Sequence, residues 1–216
     1  MQKAFLLING NPPENLPSLK KYGKIYCTDG AYAHLIENHV LPDVVVGDFD
    51  SFPVGSISKE VKVIENLDQD YTDFYKCLEV IKQAGYDMVD VYGSTGTEHD
   101  HFLGNLTTAL MFKEKLQLTF YDDYSKFFFS EKHAKLQNVK NRIISLYPFP
   151  KATGVQSKGL FYPLNGMNLD MTSKIGTRNH AIKDEVEITY EEGELLLFIS
   201  QYTLSREEIS YKNKIN

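Results

Sequence analysis

The chain has 216 residues, which is long enough for one large domain or two small ones. Its composition, 42% hydrophobic and 24% charged, is that of a globular protein and excludes a disordered or collagen-like chain. The formal net charge is −6 and no long Lys/Arg run occurs, so the sequence predicts no nucleic-acid partner.

The first half of the chain alternates predicted strands and helices. Short apolar runs that end in glycine, proline or polar residues predict strands at residues 4–8, 24–28, 44–46, 61–64 and 88–92. Helical spacing of apolar residues predicts helices over 31–38, 71–84 and 102–110. This repetition predicts an α/β domain with a mostly parallel sheet and flanking helices, in which ligands bind beyond the carboxyl ends of the strands.

After about residue 120 the predicted elements are short strands separated by turns. They lie at residues 143–146, 160–162, 185–190 and 195–200, and no long helical pattern intervenes. We therefore expect a C-terminal antiparallel β-sandwich domain over residues 131–216, after an α/β domain over residues 1–130.

The cysteines and the N-terminus bear on location. Cys27 and Cys77 are far apart and form no CxxC motif, which is typical of a reducing compartment. The apolar run at residues 4–8 is too short for a signal peptide or a membrane span. We expect a cytoplasmic chain with no membrane partner.

Aspartates collect where the predicted strands end or the predicted helices begin. They are Asp29, Asp48, Asp50, Asp68, Asp73 and Asp100. Because strand ends of a parallel sheet share one edge, these carboxylates should converge, and a divalent cation would relieve their repulsion. Oxygen-only ligands in this number favour Mg²⁺.

The segment 47–51, Gly-Asp-Phe-Asp-Ser, is the most specific single motif. Asp48 and Asp50 follow an apolar strand at a spacing that lets both reach one ion. The same Asp-x-Asp pattern occurs in haloacid-dehalogenase-type phosphatases and sugar-nucleotide transferases. A loop whose aspartates only cap turns is the remaining alternative.

Residues 68–73 open a predicted helix with more polar groups than an N-cap needs, which favours a binding role for Gln69, Thr72 and Asp73. Lys76 lies one turn further on. It is interpreted either as a phosphate ligand or as a solvated helix lysine.

The loop 93–101, Gly-Ser-Thr-Gly-Thr-Glu-His-Asp-His, joins a predicted strand to a predicted helix. Backbone amides in such a loop can receive a phosphate, although the loop is neither a Walker loop nor GxGxxG. Asp100 either caps the helix or acts in the site. His99 and His101 lack the spacing of zinc ligands.

Taken together, these segments resemble the thiamine pyrophosphokinase family. The matching stretches occur in the order and spacing of the family: 28–33, 42–51, 68–73 with Lys76, 93–101 with Asn105, 157–164 and 193–197. The resemblance covers nearly the whole chain.

The resemblance implies a reaction and an architecture. A pyrophosphoryl group would pass from ATP to the hydroxyl of thiamine with release of AMP, in a homodimer with active sites between subunits. Residues 1–130 would bind nucleotide and Mg²⁺, and residues 131–216 would bind thiamine and dimerise. Asp48, Asp50 and Asp73 would hold the metal. The other implied site residues are Asp29, Gln69, Thr72, Lys76, Asp100, His101, Arg178, Asn179 and His180.

Three departures from the family pattern affect this expectation. Glu98 stands where the family usually has an arginine, Arg178-Asn179-His180 replaces Ser-Asn-Glu, and the chain has no tryptophan. We expect Asn179, which keeps the family identity, to contact substrate. The candidate cations for the transferred group are Lys76, His99, His101 and Arg178, and Arg178 would serve if its guanidinium turns toward the ATP phosphates. A spare carboxylate such as Asp100 would accept the alcohol proton.

Two other functions remain open from the sequence. One is a Mg²⁺-dependent phosphatase that uses Asp48 as its nucleophile. The other is a non-catalytic regulator that binds nucleotide or thiamine. Release of AMP only when an acceptor is present would distinguish the kinase from both.

Overall fold

The computed structural model describes residues 2–50, 54–205 and 207–210. The chain divides into two compact units, Met1–Asp123 and Tyr124–Asn216. The sequence expectation places the boundary after residue 130. The strand Ser125–Phe129 belongs to the second unit because it pairs there with Glu192–Thr203.

The first unit contains a parallel sheet. Its strands are β1 (Lys3–Leu7), β2 (Lys24–Thr28), β3 (Val44–Gly47), β4 (Lys62–Glu65), β5 (Met88–Tyr92) and β6 (Gln117–Tyr121). Their order is β4-β3-β2-β1-β5-β6, and every neighbouring pair is parallel. The predicted mostly parallel α/β architecture is confirmed.

Within the described residues of this unit, three α-helices accompany the sheet: α1 (Tyr32–Glu37), α2 (Asp73–Gln83) and α3 (His99–Phe112). In α2 the residues Phe74, Cys77, Leu78 and Ile81 are buried, as their helical spacing predicts. The helix begins at Asp73 because Thr72 is its N-cap, with Oγ1 accepting a hydrogen bond from the Tyr75 amide at 3.3 Å.

One charged group lies in the middle of the sheet. Asp90 on β5 is 1% exposed, and its carboxylate accepts hydrogen bonds from Lys3 Nζ at 2.9 Å and Tyr22 Oη at 2.8 Å. Burial, then the Tyr92 hydroxyl and the Asp90 carboxylate, raise the pKa of Tyr22. The Tyr22 phenol therefore stays protonated and donates a hydrogen bond to the Asp90 carboxylate.

The second unit is antiparallel throughout its described strands. They are β7 (Ser125–Phe129), β8 (His133–Leu136), β9 (Arg142–Lys158), β10 (Asn165–Asp170), β11 (Gly176–His180), β12 (Val186–Thr189) and β13 (Glu192–Thr203). The long strand β9 pairs with β10, β11, β12 and β13, and β13 also pairs with β7. Apolar side chains of these strands form one buried core.

The sequence prediction missed four of these strands, β7, β8, β10 and β11, and placed one strand wrongly. Leu160 makes only an isolated bridge to Ala181, so the predicted strand at 160–162 is wrong. Gly159 has φ +88° and turns the chain there. Strands β8, β10 and β11 were missed because their sequences are short and contain many polar residues. Strand β7 was missed because its five residues, Ser-Lys-Phe-Phe-Phe, do not alternate polar and apolar side chains.

Among the described residues no helix has the length and apolar content to cross a membrane.

Candidate functional site

A cleft of about 500 Å³ lies at the carboxyl edge of the first unit's sheet. Its walls come from the loops after β1, β2, β3 and β5, from residues 69–72 and the first turn of α2, and from the first two turns of α3. The expected site residues that line it are Asp29, Asp48, Gln69, Thr72, Asp73, Lys76, Asp100 and His101. The edge of the sheet therefore brings together side chains that are far apart in sequence.

Three carboxylates form what we call the carboxylate cluster: Asp29, Asp48 and Asp50. Each offers an oxygen within 4.8 Å of the others'. These are hard oxygen donors, the type that Mg²⁺ prefers, and the rest of its coordination shell is commonly water and substrate phosphate. The donor set fits the expected metal. Ser51, the last residue of the 47–51 motif, lies outside the described residues.

Asp29 is the buried member of the carboxylate cluster. It follows β2 directly, and its carboxylate accepts hydrogen bonds from the amides of Gly30 at 2.7 Å and Phe49 at 2.9 Å. A Cβ on Gly47 would lie 2.4 Å from Asp29 Cγ, so only glycine lets the end of β3 pass so close. The glycine of the 47–51 motif thus makes room for a carboxylate from the neighbouring strand.

Asp48 is held in its ionised form. Its Oδ2 accepts from Gln69 Nε2 at 3.0 Å, and its Oδ1 accepts from the Asp50 amide at 3.2 Å. The Gln69 hydrogen bond, then the Asp50 amide, lower the pKa of Asp48. The Gln69 side chain therefore fixes the orientation of the Asp48 carboxylate.

Asp73 and Lys76 form an ion pair beside the cluster, with Lys76 Nζ 3.0 Å from Asp73 Oδ1. Burial raises the pKa of Asp73, Lys76 opposes the shift, and the charges of Asp29 and Asp48 add to it. Asp73 is thus close enough to sense the cluster, although among the described residues the close group consists of Asp29, Asp48 and Asp50.

Lys76 is not the solvated surface lysine that was one of its two interpretations. Its side chain is only 4% exposed, and it lines the cleft. A buried ammonium needs a counter-charge, which Asp73 provides. Its position in the cleft wall makes it available to an anionic ligand as well.

The loops after β1 and β5 are joined through their backbones. The Gly10 amide donates to Gly93 O at 2.7 Å, and the Asn11 amide donates to Thr95 O at 2.8 Å. A Cβ on Gly10 would lie 2.3 Å from Gly93 O, so the two loops could not approach this closely with a larger residue. This pairing holds the glycine-containing loop at the cleft.

The start of α3 distinguishes the two interpretations of Asp100. The N-cap residue is Glu98, with no side-chain capping bond, and Asp100 Oδ1 accepts from the His101 amide at 3.0 Å. Asp100 is therefore not the cap. His101 Nε2 lies 3.6 Å from Glu98 Oε2, so the acidic residue at the expected arginine position already has a basic neighbour.

In the second unit, the Arg178-Asn179-His180 segment lies on β11. Asn179 is buried, and its side chain accepts from the amides of Tyr162 at 3.1 Å and His180 at 2.9 Å and donates to Tyr162 O at 2.7 Å. The His180 ring stacks on Phe161 with centroids 4.7 Å apart. Both side chains therefore organise the 161–162 turn.

Arg178 differs from these neighbours because it is exposed. Its φ of +57° accompanies a register shift between Gly176 and Asn179, and its amide donates to Ser145 Oγ at 2.9 Å. A non-glycine residue in this conformation indicates a bulge that points the side chain away from the regular pleat.

The cleft also contains residues to which the sequence analysis assigned no role, among them Tyr71, Ser94 and Gly104. Two hydroxyls beside it, Thr28 Oγ1 and Ser94 Oγ, are buried without a hydrogen-bond partner in the described part of the chain. Of these residues, Gly104 was the one that the sequence could have indicated, because glycine is a poor helix former and this one lies inside a predicted helix.

Comparison with known proteins identifies the same family for both units. The family model "Thiamin pyrophosphokinase, catalytic domain" matches residues 17–120. The model "Thiamin pyrophosphokinase, vitamin B1 binding domain" matches residues 132–195. Together the two matches span more than half of the chain.

Individual relatives agree with the family models. The chain is similar to thiamine pyrophosphokinase of Bacillus subtilis (strain 168), with 24% identity over 92% of this chain and 99% of that protein. It is also similar to thiamin pyrophosphokinase 1 of Caenorhabditis elegans, with 26% identity over 83% of this chain and 82% of the relative. Its fold is similar to that of a thiamin pyrophosphokinase family protein from Enterococcus faecalis, with TM-score 0.79 and 18% identity over 94% of this chain and 100% of the other.

Proposed function

The chain belongs to the thiamine pyrophosphokinase family, and from this membership we propose that it transfers a pyrophosphoryl group from ATP to thiamine. The products are thiamine diphosphate and AMP. The observation that carries the proposal is the cleft of the first unit, which is lined by Asp29 and Asp48 of the carboxylate cluster and by the buried Lys76. All three residues lie inside the match to the catalytic domain.

The bond changes follow from the products. The hydroxyl oxygen of thiamine attacks the β-phosphorus of ATP, the bond between that phosphorus and the α,β-bridging oxygen breaks, and AMP leaves with the oxygen. Such a transfer depends on positioning and charge neutralisation more than on covalent help from the protein. The polar walls of the cleft suit both tasks.

We assign the Mg²⁺ site to the carboxylate cluster, with Asp73 as a further acidic group beside it. A bound Mg²⁺ withdraws charge from phosphate oxygens. Asp29 and Asp48 are held for this role by hydrogen bonds from Phe49 and Gln69, which fix the carboxylates before a metal arrives. Three carboxylates without a cation would repel one another, so the arrangement favours the occupied state.

Lys76 supplies positive charge at the cleft wall, and we assign it to the transferred phosphates. Its ammonium is paired with Asp73 before substrate binds, so the lysine is already oriented. Since Glu98 replaces the usual arginine and lies beside His101, Lys76 and Arg178 are the cations assigned to that lost charge. Thr72 caps α2 and places its first turn against the cleft.

The alcohol proton requires an acceptor, and Asp100 is the assigned one. Its carboxylate is exposed to the cleft, and its backbone lies in the first turn of α3. In this role Asp100 takes the proton as the thiamine oxygen attacks.

Thiamine binding is assigned to the second unit, in agreement with the description of the domain model matched there. We propose a homodimer in which the cleft of one subunit meets the second unit of its partner. The mass in light scattering should then be about twice the 24.7 kDa of one chain. A fully active monomer would contradict the shared site. The proposed location is the cytoplasm, which suits two free, buried cysteines.

The decisive experiment measures AMP release from ATP and Mg²⁺ with and without thiamine. The proposed kinase makes AMP and thiamine diphosphate in equal amounts, and only when thiamine is present. Orthophosphate as the product would indicate the phosphatase alternative, and binding without turnover would indicate the regulator. The comparisons favour neither alternative.

A further inference from the structure

An aromatic side chain lies at the wall of the cleft without a role in the mechanism above. Tyr71 is 44% exposed and lines the cleft one residue before the N-cap of α2. Its ring stacks on Tyr75 with centroids 4.1 Å apart and an interplanar angle of 19°. Because Tyr75 covers one face, the exposed area of Tyr71 lies on its other face and its edge.

The stack has a rigid base. Tyr75 packs edge-on against Phe112 at 5.0 Å, and Phe112 is fully buried at the end of α3. Tyr71 is therefore an exposed ring supported by the core rather than a mobile surface residue. Exposed aromatic faces of this kind are the usual stacking platforms for heteroaromatic rings.

A second observation comes from α3. Gly104 lies in the interior of this helix and lines the same cleft. Apart from the neighbouring backbone of α3, no atom of the described residues lies within 4 Å of the position that a Cβ would take. Local packing thus does not require glycine, and glycine weakens a helix. Bare backbone beside a cleft allows a flat ligand to approach the helix closely.

We infer that Tyr71 and the bare surface at Gly104 form a slot for the purine ring of the nucleotide substrate. This inference rests on the proposed function and extends it to base recognition. Tyr71 stacks on the ring, and Gly104 leaves space for it along α3. The triphosphate then runs from the slot toward Lys76 and the carboxylate cluster, which line or adjoin the same cleft.

Thiamine also has flat rings, but the observations favour the nucleotide. Tyr71 and Gly104 both lie within the match to the catalytic domain, residues 17–120. The vitamin B1 binding domain matches residues 132–195, in the other unit.

The test is calorimetric binding of α,β-methylene-ATP with Mg²⁺, an analogue that cannot release AMP, alongside inorganic tripolyphosphate, which has no base. Tyr71→Leu should weaken binding of the analogue by about tenfold and leave tripolyphosphate unchanged. Tyr71→Phe, which keeps the ring, should bind both like the unaltered chain. Tyr202→Leu is the matched control, since Tyr202 is 45% exposed and outside the cleft.

Gly104→Ala tests the second wall of the slot, with two measured quantities that should change in opposite directions. The melting temperature should rise because alanine favours a helix, while affinity for the analogue falls and affinity for tripolyphosphate is retained. A helix that is merely distorted would lose melting temperature and affinity for both ligands. Unchanged binding of the analogue by Gly104→Ala would overturn the assignment of α3 as a wall of the slot.

Two results would overturn the role of Tyr71. One is an affinity of Tyr71→Leu for the analogue that equals that of the unaltered chain. The other is a raised KM of Tyr71→Leu for thiamine with an unchanged KM for ATP. These failures differ from failure of the proposed function. If the unaltered chain binds the analogue through Tyr71 but makes no thiamine diphosphate, the slot stands and the reaction fails. If it makes thiamine diphosphate and Tyr71→Leu binds normally, the reaction stands and the slot fails.

Discussion

Replacing Gly47 with alanine should displace Asp29 and weaken the metal site. The new Cβ would lie 2.4 Å from Asp29 Cγ and 2.6 Å from its Oδ2, whereas such atoms normally keep about 3.5 Å. The carboxylate must move by about 1 Å, which breaks its 2.9 Å hydrogen bond from the Phe49 amide. Overpacking and the lost hydrogen bond together should cost about 2–4 kcal/mol of unfolding free energy.

Urea unfolding followed by circular dichroism measures the stability change, and the Mg²⁺ concentration for half-maximal AMP release measures the metal site. Both should shift, with more Mg²⁺ required. Gly55→Ala is the matched control, because no atom of the part of the chain that the structure describes lies within 4 Å of its added Cβ. It should stay within about 0.5 kcal/mol of the unaltered chain. If Gly47→Ala unfolds at the same urea concentration as Gly55→Ala and needs no more Mg²⁺, the close approach of Gly47 to Asp29 does not hold the carboxylate cluster together.

Three further substitutions test separate parts of the molecule. Asp50→Asn should lower AMP release by more than about tenfold with the fold intact, since the amide is nearly isosteric but uncharged; near-normal turnover at saturating Mg²⁺ would refute its role as a ligand. Asp90→Leu should destabilise the first unit by about 3 kcal/mol in urea, because Lys3 and the Tyr22 hydroxyl lose their buried partner; a loss below 1 kcal/mol would show that the network relaxes. Asn179→Ala should lower the unfolding free energy of the second unit by about 1–3 kcal/mol, because its hydrogen bonds to Tyr162 and His180 are lost. An unchanged urea midpoint would show that these hydrogen bonds do not stabilise the unit.

The elements with clear periodicity were predictable from sequence. The apolar face of α2 repeats at helical spacing, and the buried strands β1, β2, β3 and β5 are short apolar runs that end at glycine, proline or polar residues. The second unit was harder. Strand β9 contains Pro148, Pro150 and Gly154, which read as breaks, yet its bulged pairing accommodates them and it continues over 17 residues.

Within the candidate site, the sequence by itself determined which residues could bind a metal and phosphates. The spacing of Asp48 and Asp50 and the polar start of α2 are local features, and residue type alone limits their chemistry. Local patterns could not show the partners of each side chain. Lys76 is compatible with solvent or burial at its position in α2, and only the packing of the helix on the sheet decides for burial.

Tertiary structure alone decided which carboxylates meet. Asp29 joins Asp48 and Asp50 because β2 and β3 are adjacent parallel strands whose ends share one edge, and because Gly47 has no side chain in the way. The family resemblance groups Asp73 with Asp48 and Asp50 as metal ligands, yet Asp73 forms an ion pair with Lys76 one turn along its own helix. Distance in space depends on strand order, which no local pattern encodes, and strand order therefore set the geometry of this site.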